Sequence, residues 1–219
     1  MTGLILKDFL VMQKTLRYYL LIMVVYAMLA MTGTFTYSVI SAFTVMLGSV
    51  APMSAFAYDE QAKWDKFAAA TPVGRQGVVK SRYLFTLLLL LGGGVLSTVV
   101  SMAVVRFGKA EVEAWWEPLV VTAVILLVGV ALNTVILPIL FKFGAEKSRV
   151  ISMAIFVAVF GGMALLSAIS KGRVDLTALT DTLASLPPAL LIAVPVAVVL
   201  ALFWVSYLIS VGIYQKKEL

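Results

Sequence analysis

The chain has 219 residues, of which 62% are hydrophobic and 13% are charged, and its formal net charge is +6. A mean hydropathy of +1.05 excludes an ordinary soluble domain and indicates an integral membrane protein. The absence of cysteine and histidine excludes disulfides and thiolate nucleophiles, and it removes the commonest metal ligand and general base. The basic excess suits anionic lipid headgroups, so no nucleic-acid partner is predicted.

The first predicted element is an amphipathic helix over residues 1–16. Four apolar residues recur there at helical spacing, opposite Lys7 and Lys14, and they are Ile5, Phe9, Met12 and Leu16. This pattern predicts a helix that lies on the inner membrane surface. The apolar run that follows is too long for a secretory signal, so we predict no cleavage.

Membrane spans follow as long stretches without charged residues, since about 20 apolar residues cross roughly 30 Å of hydrocarbon. Residues 18–58 form a charge-free stretch of twice that length, and Thr32-Gly33-Thr34 within it indicates a turn between two helices. Four later stretches and a Pro187-Pro188 start signal add four helices. The prediction is an all-α fold in a single six-span domain over 1–219, with helices near 17–33, 35–57, 82–105, 117–141, 149–170 and 188–213.

Basic residues are distributed unequally between the two sides of this predicted topology. Four of them fall on one side: Arg106, Lys109, Lys171 and Arg173. Thirteen fall on the other: Lys7, Lys14, Arg17, Lys63, Lys66, Arg75, Lys80, Arg82, Lys142, Lys147, Arg149, Lys216 and Lys217. Because positive charge in short loops resists translocation, the richer side is predicted to be cytoplasmic. Both termini and the loop over 58–82 are then cytoplasmic.

The predicted spans have no ionisable residue away from their ends, which argues against catalysis and against proton-coupled secondary transport. The sequence GAEKS at 144–148 is not a phosphate loop, because Glu146 replaces the glycine that must precede the lysine. The Gly92-Gly93-Gly94 run lies inside a span and indicates close helix packing or a locally flexible backbone rather than a ligand site.

The loop between the second and third predicted spans has a pattern of its own. Residues 59–70 favour helix, and Trp64, Phe67 and Ala68 share one face of it. Thr71 and Pro72 would end that helix and start a second one that runs into the third span. The prediction is a cytoplasmic elbow. The alternative is that the tryptophan anchors at the headgroups while the charges set the topology.

The loop sequence DEQAKWDKFAAATPVGRQGVVKSRYL resembles the loop between the second and third spans of type-2 ABC transporter permeases. The six-span order and the start LILKDFLVMQK are similar as well, and the chain resembles the small permeases that export phenol-soluble modulins. The resemblance implies that the loop is a coupling helix seated in a groove of an ATPase. Trp64 and Phe67 would fill the groove, and Asp59 and Glu60 would cap and orient the helix. Pro72 would belong to the same coupling segment, and Arg75 would contact the ATPase or a lipid phosphate.

The resemblance also implies a function and a set of partners. The chain would be the transmembrane subunit of an ATP-driven exporter in a bacterial cytoplasmic membrane, surrounded by membrane lipids. It would pair with a second permease copy or close paralogue and with two cytoplasmic ATP-binding-cassette subunits, which hold the ATP and Mg²⁺, so it has no cofactor and hydrolyses nothing itself. The apolar spans favour amphipathic peptides or lipid-like cargo. The alternative is a non-transporting membrane scaffold that docks a cytoplasmic partner through residues 58–82.

Two further features have two interpretations each, and a third has one. The segment 171–187 has a leucine stripe and reads as part of an external gate or as a plain loop helix. Asn133 and Pro138 in the fourth span either line a translocation path, or form a helix-helix hydrogen bond and a kink, respectively. Trp115 and Trp116 indicate an outer aromatic belt.

Overall fold

The computed structural model describes residues 2–69, 74–108, 114–170 and 188–216. All regular structure in these ranges is helical, and there are six helices: α1 (Thr2–Met31), α2 (Tyr37–Gln61), α3 (Trp64–Ala69), α4 (Gly74–Phe107), α5 (Glu117–Ser170) and α6 (Pro188–Gln215). Five of them are long and apolar enough to cross a membrane, namely all except α3. The predicted gate segment at 171–187 lies outside the described residues.

Helix α2 is central and packs against α1, α4 and α5, while α6 packs against α4 and α5. The predicted turn after the first span is confirmed, since α1 ends at Met31 and α2 begins at Tyr37. Gly33 in this turn has a φ of 82°, which is strained for residues with a side chain. Tyr37 at this end donates a hydrogen bond of 2.6 Å to Glu117 at the start of α5.

The first helix corrects the prediction of a separate interfacial helix over 1–16. Helix α1 runs without a break from Thr2 to Met31, because no proline interrupts its backbone hydrogen bonds. The predicted apolar stripe packs into the bundle: Met12 is fully buried with Ala51 and Phe85, and Phe9 and Leu16 lie against them. At 1.5 Å per residue, α1 is about 45 Å long, which matches a bilayer including its headgroups.

Helix α5 contains one sharp interruption. Gly144 has a φ of 79° and a ψ of 178°, so the chain bends there into a proximal limb, 117–143, and a distal limb, 145–170. Phe156 on the distal limb packs against the same cluster as Phe141 and Tyr214. In a straight helix, residues 141 and 156 would be about 22 Å apart.

The glycine run in α4 has two different environments. A Cβ at Gly93 would collide with Thr44 on α2, and one at Gly94 would collide with Leu126 on α5, so both positions permit the close packing that the run predicts. A Cβ at Gly92 would meet nothing within 4 Å, because this residue borders a cleft.

Candidate functional site

Four charged side chains at one end of the bundle form a network between three helices. Lys7 on α1 lies 2.8 Å from Asp59 on α2 and 3.3 Å from Asp8, and Arg82 on α4 lies 3.1 Å from Asp8 and also pairs with Asp59. The side chains of Asp8, Arg82 and Asp59 are only 3%, 5% and 13% exposed. Two cations balance two anions, which is what burial of charge requires. We call this end of the bundle the charged end.

Glu60, next to Asp59, connects α2 to the bend in α5. Its Oε1 accepts a hydrogen bond of 2.8 Å from the backbone N–H of Ala145, the first residue after Gly144. The first N–H groups of a helix lack backbone partners, and the helix dipole favours an anion there. Glu60 therefore caps the distal limb of α5 and fixes the bend against α2.

Arg75, in the first turn of α4, links that helix to the end of α6 at the charged end. Its guanidinium donates a hydrogen bond to the backbone carbonyl of Gln215, the last residue of α6. Terminal carbonyls of a helix also lack backbone partners, and the negative end of the dipole favours a cation. The charged end therefore joins the start of α1, the end of α2, the start of α4, the bend of α5 and the end of α6.

The short helix α3 carries the two aromatic residues that the sequence singled out. The Trp64 ring lies 5.0 Å from the Phe67 ring, and Lys7 lies 4.4 Å above Trp64. Trp64 also packs against the buried cluster around Tyr214 and Val79, so one side of the ring is engaged within the chain. Phe67 is 62% exposed. Helix α3 therefore presents Phe67 outward on a base that Trp64 anchors.

The structure revises the predicted elbow. Asp59 and Glu60 belong to the last turn of α2, which ends at Gln61, and α3 begins only at Trp64. Lys63 between them has a φ of 51°, outside the helical region. Acidic residues are normally unfavourable at a helix C-terminus, but here cations and the Ala145 N–H offset that cost. Asp59 thus links α2 to α1 and α4, Glu60 links α2 to α5, and both lie before the start of α3. Pro72 lies outside the described residues.

Asn133 in the proximal limb is fully buried between helices. Its Nδ2 donates hydrogen bonds of 3.1 Å to Ser49 on α2 and 2.9 Å to the Gly129 carbonyl of its own helix. Of the two interpretations of Asn133, these contacts favour the helix-helix bond. Its Oδ1 is buried without a hydrogen-bond partner.

Pro138 leaves a backbone carbonyl of α5 free to bond with another helix. Proline has no N–H, so the carbonyl of Thr134 four residues earlier loses its helical partner. Ser206 on α6 donates a hydrogen bond of 2.6 Å to that carbonyl. The Ser206 hydroxyl in turn lies 2.7 Å from the Tyr83 hydroxyl, which also lies 2.7 Å from Ser210. The free carbonyl therefore links α5 to α6 and α4.

Sequence reasoning missed the partners more than the residues. From the sequence, Lys7 and Arg82 were assigned only to the cytoplasmic side of the topology, with Lys7 also on the polar face of the N-terminal helix. Gly144 was considered only as part of a rejected phosphate loop. Asp8 left one usable signal, because it is a lone acid beside the apolar stripe of α1. Such an acid is uncommon near a span unless it is paired.

A comparison with known protein families identifies the family of this chain. A family model described as "ABC-2 family transporter protein" matches residues 3–215, which is nearly the whole chain. The chain belongs to the ABC-2 transporter family. No curated protein and no solved structure matches it. The predicted membership among type-2 ABC transporter permeases is therefore confirmed, while the finer similarity to phenol-soluble-modulin exporters stays a prediction.

Family membership assigns a general role to this permease. It is a multi-pass transmembrane subunit of a transporter, and its family implies association with an ATP-binding-cassette subunit. Members of such a family serve as the membrane part of the transporter, generally without a nucleotide site of their own. The charged end, where α3 projects, is the candidate site for that association.

Proposed function

We propose that this permease is the transmembrane subunit of an ATP-driven exporter and that its ATPase docks on α3. The observation that carries the proposal is the exposed ring of Phe67, held on a short helix whose other aromatic residue, Trp64, is anchored to the bundle. Exposed aromatic residues on a rigid base are typical of the few residues that dominate the affinity of an interface. The nucleotide and Mg²⁺ belong to the partner ATPase.

The bend at Gly144 supports a six-span topology. A straight helix over Glu117–Ser170 would be about 81 Å long, almost twice a bilayer of about 45 Å with its headgroups. The proximal and distal limbs of α5 are then separate spans, and the bend lies at the membrane surface of the charged end. An even number of spans brings both termini to the same side. The thirteen basic residues assigned to that side make it cytoplasmic.

The network at the charged end offers a mechanical route from α3 to the spans. Helix α3 follows α2 after a short turn at 62–63, and the acids just before that turn hold three other helices: Asp59 binds Lys7 on α1 and Arg82 on α4, and Glu60 caps the distal limb of α5. A force applied to α3 by closure of two ATPase subunits would reach these helices together. This arrangement supports coupling, because discrete packed contacts transmit displacement better than flexible loops do.

The cargo that fits this permease best is amphipathic or lipid-like. The long helices present mostly apolar residues outward, and residues 18–58 contain no charge that would hold a strongly polar solute. An amphipathic peptide keeps its apolar face toward such a wall. A second copy of the permease, or a close paralogue, completes the path between the two subunits, and the cargo leaves the cell on the side away from the ATPases.

Stimulated ATP hydrolysis in liposomes tests the proposal. The purified ATP-binding-cassette subunit is added to liposomes with or without the permease, and hydrolysis is measured before and after addition of an amphipathic helical peptide. An exporter subunit raises the hydrolysis rate, and the peptide raises it further. A scaffold that only docks the ATPase through residues 58–82 retains it on the liposomes and leaves its rate unchanged.

A further inference from the structure

A cleft between α1, α2 and α4 has no role in the function proposed above. Its volume is about 530 Å³, and its walls include Leu16 and Met23 on α1, Leu47 on α2, and Leu89 and Gly92 on α4. Several lining residues, among them Leu20, Leu88 and Leu96, are also exposed at its mouth. The cleft therefore opens sideways, toward the lipid that surrounds the spans.

The chemistry of the walls restricts the occupant to hydrocarbon. The two lining side chains with hydroxyl groups are already engaged: Thr44 donates 2.8 Å to the Ile40 carbonyl, and Tyr19 hydrogen-bonds with Ser54. A polar ligand would lose its hydration in a cleft whose other lining side chains are all apolar. One turn of a helix with side chains occupies roughly 500 Å³, from its pitch and diameter. The cleft is thus too small for an amphipathic helix and suits a single thin chain.

The depth of the cleft matches the tail region of one leaflet. On α4 its walls run over 88–96, which begins about 9 Å and ends about 21 Å from Arg82 at the charged end, at 1.5 Å per residue. One leaflet contributes about 15 Å of hydrocarbon. A lipid whose headgroup lies at the charged end places its acyl chain at this level.

Arg17 gives the mouth of the cleft a charge. It is exposed on α1 and lies three residues before Leu20, hence beside it on the helix surface. Helical side chains lean toward the N-terminus, and long basic ones extend their heads to the membrane surface. The N-terminus of α1 lies at the charged end, so the guanidinium of Arg17 extends toward that end. A phosphate above an acyl chain in the cleft would find its cation there.

We propose that this cleft binds one acyl chain of an anionic phospholipid from the leaflet at the charged end, with the headgroup phosphate at Arg17. The bound chain fills the gap between α1 and α4 that Gly92 leaves open. This site rests on the membrane topology and is independent of ATPase docking.

Photocrosslinking with a phosphatidylglycerol that carries a diazirine at mid-chain tests the site in the full-length permease in nanodiscs. Labelling of residues 16–23 and 88–96 is compared with labelling of the exposed face of α6, which reports bulk lipid. Gly92→Phe directs a ring toward the cleft from a position where an added Cβ meets nothing within 4 Å, and Gly212→Phe on α6 is the matched control, because a Cβ there also meets nothing within 4 Å. Gly92→Leu serves as a second blocking variant in case Gly92→Phe does not fold.

We expect wild type and Gly212→Phe to label the cleft peptides at least fivefold above the α6 reference, and Gly92→Phe or Gly92→Leu to reduce that labelling to the reference level. Arg17→Gln should leave labelling by a diazirine phosphatidylcholine unchanged and remove the preference for phosphatidylglycerol. Equal labelling of wild type and a folded blocking variant would overturn the site. Displacement of the phospholipid by free palmitate at equal concentration would also overturn it, since the cleft would then favour a free fatty acid.

Discussion

The Glu60 carboxylate on α2 accepts a hydrogen bond of 2.8 Å from the Ala145 N–H, across 85 positions of the sequence. This bond fixes the position of the bend in α5 relative to the end of α2. The resemblance to type-2 ABC permeases implied a different role for Glu60, which was to cap and orient the coupling helix. The charged end is therefore a brace between spans as well as the base of α3.

Removal of this cap should destabilise the permease without affecting its insertion. Replacing a capping side chain by alanine typically costs about 0.5 to 2 kcal/mol. We expect Glu60→Ala to lower the free energy of unfolding by that amount, and Glu60→Gln to lose less because its amide oxygen still accepts the bond. Denaturant unfolding in micelles, followed by circular dichroism, measures both. Glu146→Gln is the control, since Glu146 is exposed near the same bend, and an equal loss in that variant would refute the role of Glu60.

Disruption of the buried ion network should cost more stability than loss of the cap, and a second substitution should restore part of it. Arg82→Gln leaves Asp8 and Asp59 with Lys7 as their remaining cation, and breaking a buried pair costs about 3 to 5 kcal/mol. Adding Asp59→Asn to Arg82→Gln restores the balance of charge, so the double variant should recover part of the lost stability. Thermal inactivation of the solubilised permease would rank the stabilities of wild type, Arg82→Gln and the double variant. If the double variant were less stable than Arg82→Gln alone, the network would not be held by charge balance.

The connection through Pro138 predicts a coupling between two helices. Ser206→Ala removes the donor to the Thr134 carbonyl and should cost about 1 kcal/mol, since hydrogen bonds between membrane helices contribute about 0.6 to 2 kcal/mol. In a Pro138→Ala background residue 138 regains its N–H, and the carbonyl no longer depends on Ser206. A double-mutant cycle measured by unfolding should therefore give Ser206→Ala a smaller cost in that background. Additive costs would contradict the explanation.

The topology can be tested without background labelling, because the chain has no cysteine. Cysteines placed at Lys63 and Glu146, near the charged end, should resist an impermeant thiol reagent added outside intact cells. Cysteines at Phe107 and Trp115, which lie at the opposite end and are exposed, should react. The reversed pattern would place the charged end outside and remove α3 from reach of an ATPase.

Hydropathy predicted most of the fold because it is a local property of the sequence. The charge-free stretch over 18–58 gave α2 and most of α1, and the Thr32-Gly33-Thr34 signal gave the turn between them. The prediction of a separate interfacial helix was wrong because α1 continues to Met31 and Met12 of the stripe is buried against Ala51 and Phe85, which periodicity alone cannot indicate.

The contacts of the candidate site could not be predicted, since they join residues far apart in the chain. Nothing near Glu60 in sequence indicates a partner at Ala145. Likewise, Pro138 predicts a free carbonyl at Thr134, but its donor on α6 is set only by how the helices pack. The sequence singled out Trp64 and Phe67 together, and only the fold separates the anchored ring of Trp64 from the exposed ring of Phe67.

Docking of the ATPase on Phe67 can be measured by permease-stimulated ATP hydrolysis as a function of ATPase concentration. Phe67 is chosen for substitution rather than Trp64, because Trp64 also packs against the bundle and its loss would affect folding as well as docking. A buried aromatic anchor often contributes about 2 kcal/mol or more, which corresponds to about a thirtyfold change in affinity. We therefore expect Phe67→Ala to fold and insert normally and to need about thirty times more ATPase for half-maximal stimulation. Phe107→Ala, which removes a ring that is 80% exposed at the opposite end, should match wild type. Normal stimulation by Phe67→Ala at wild-type ATPase concentrations would show that Phe67 does not dock the ATPase, and α3 would then be a membrane-surface anchor.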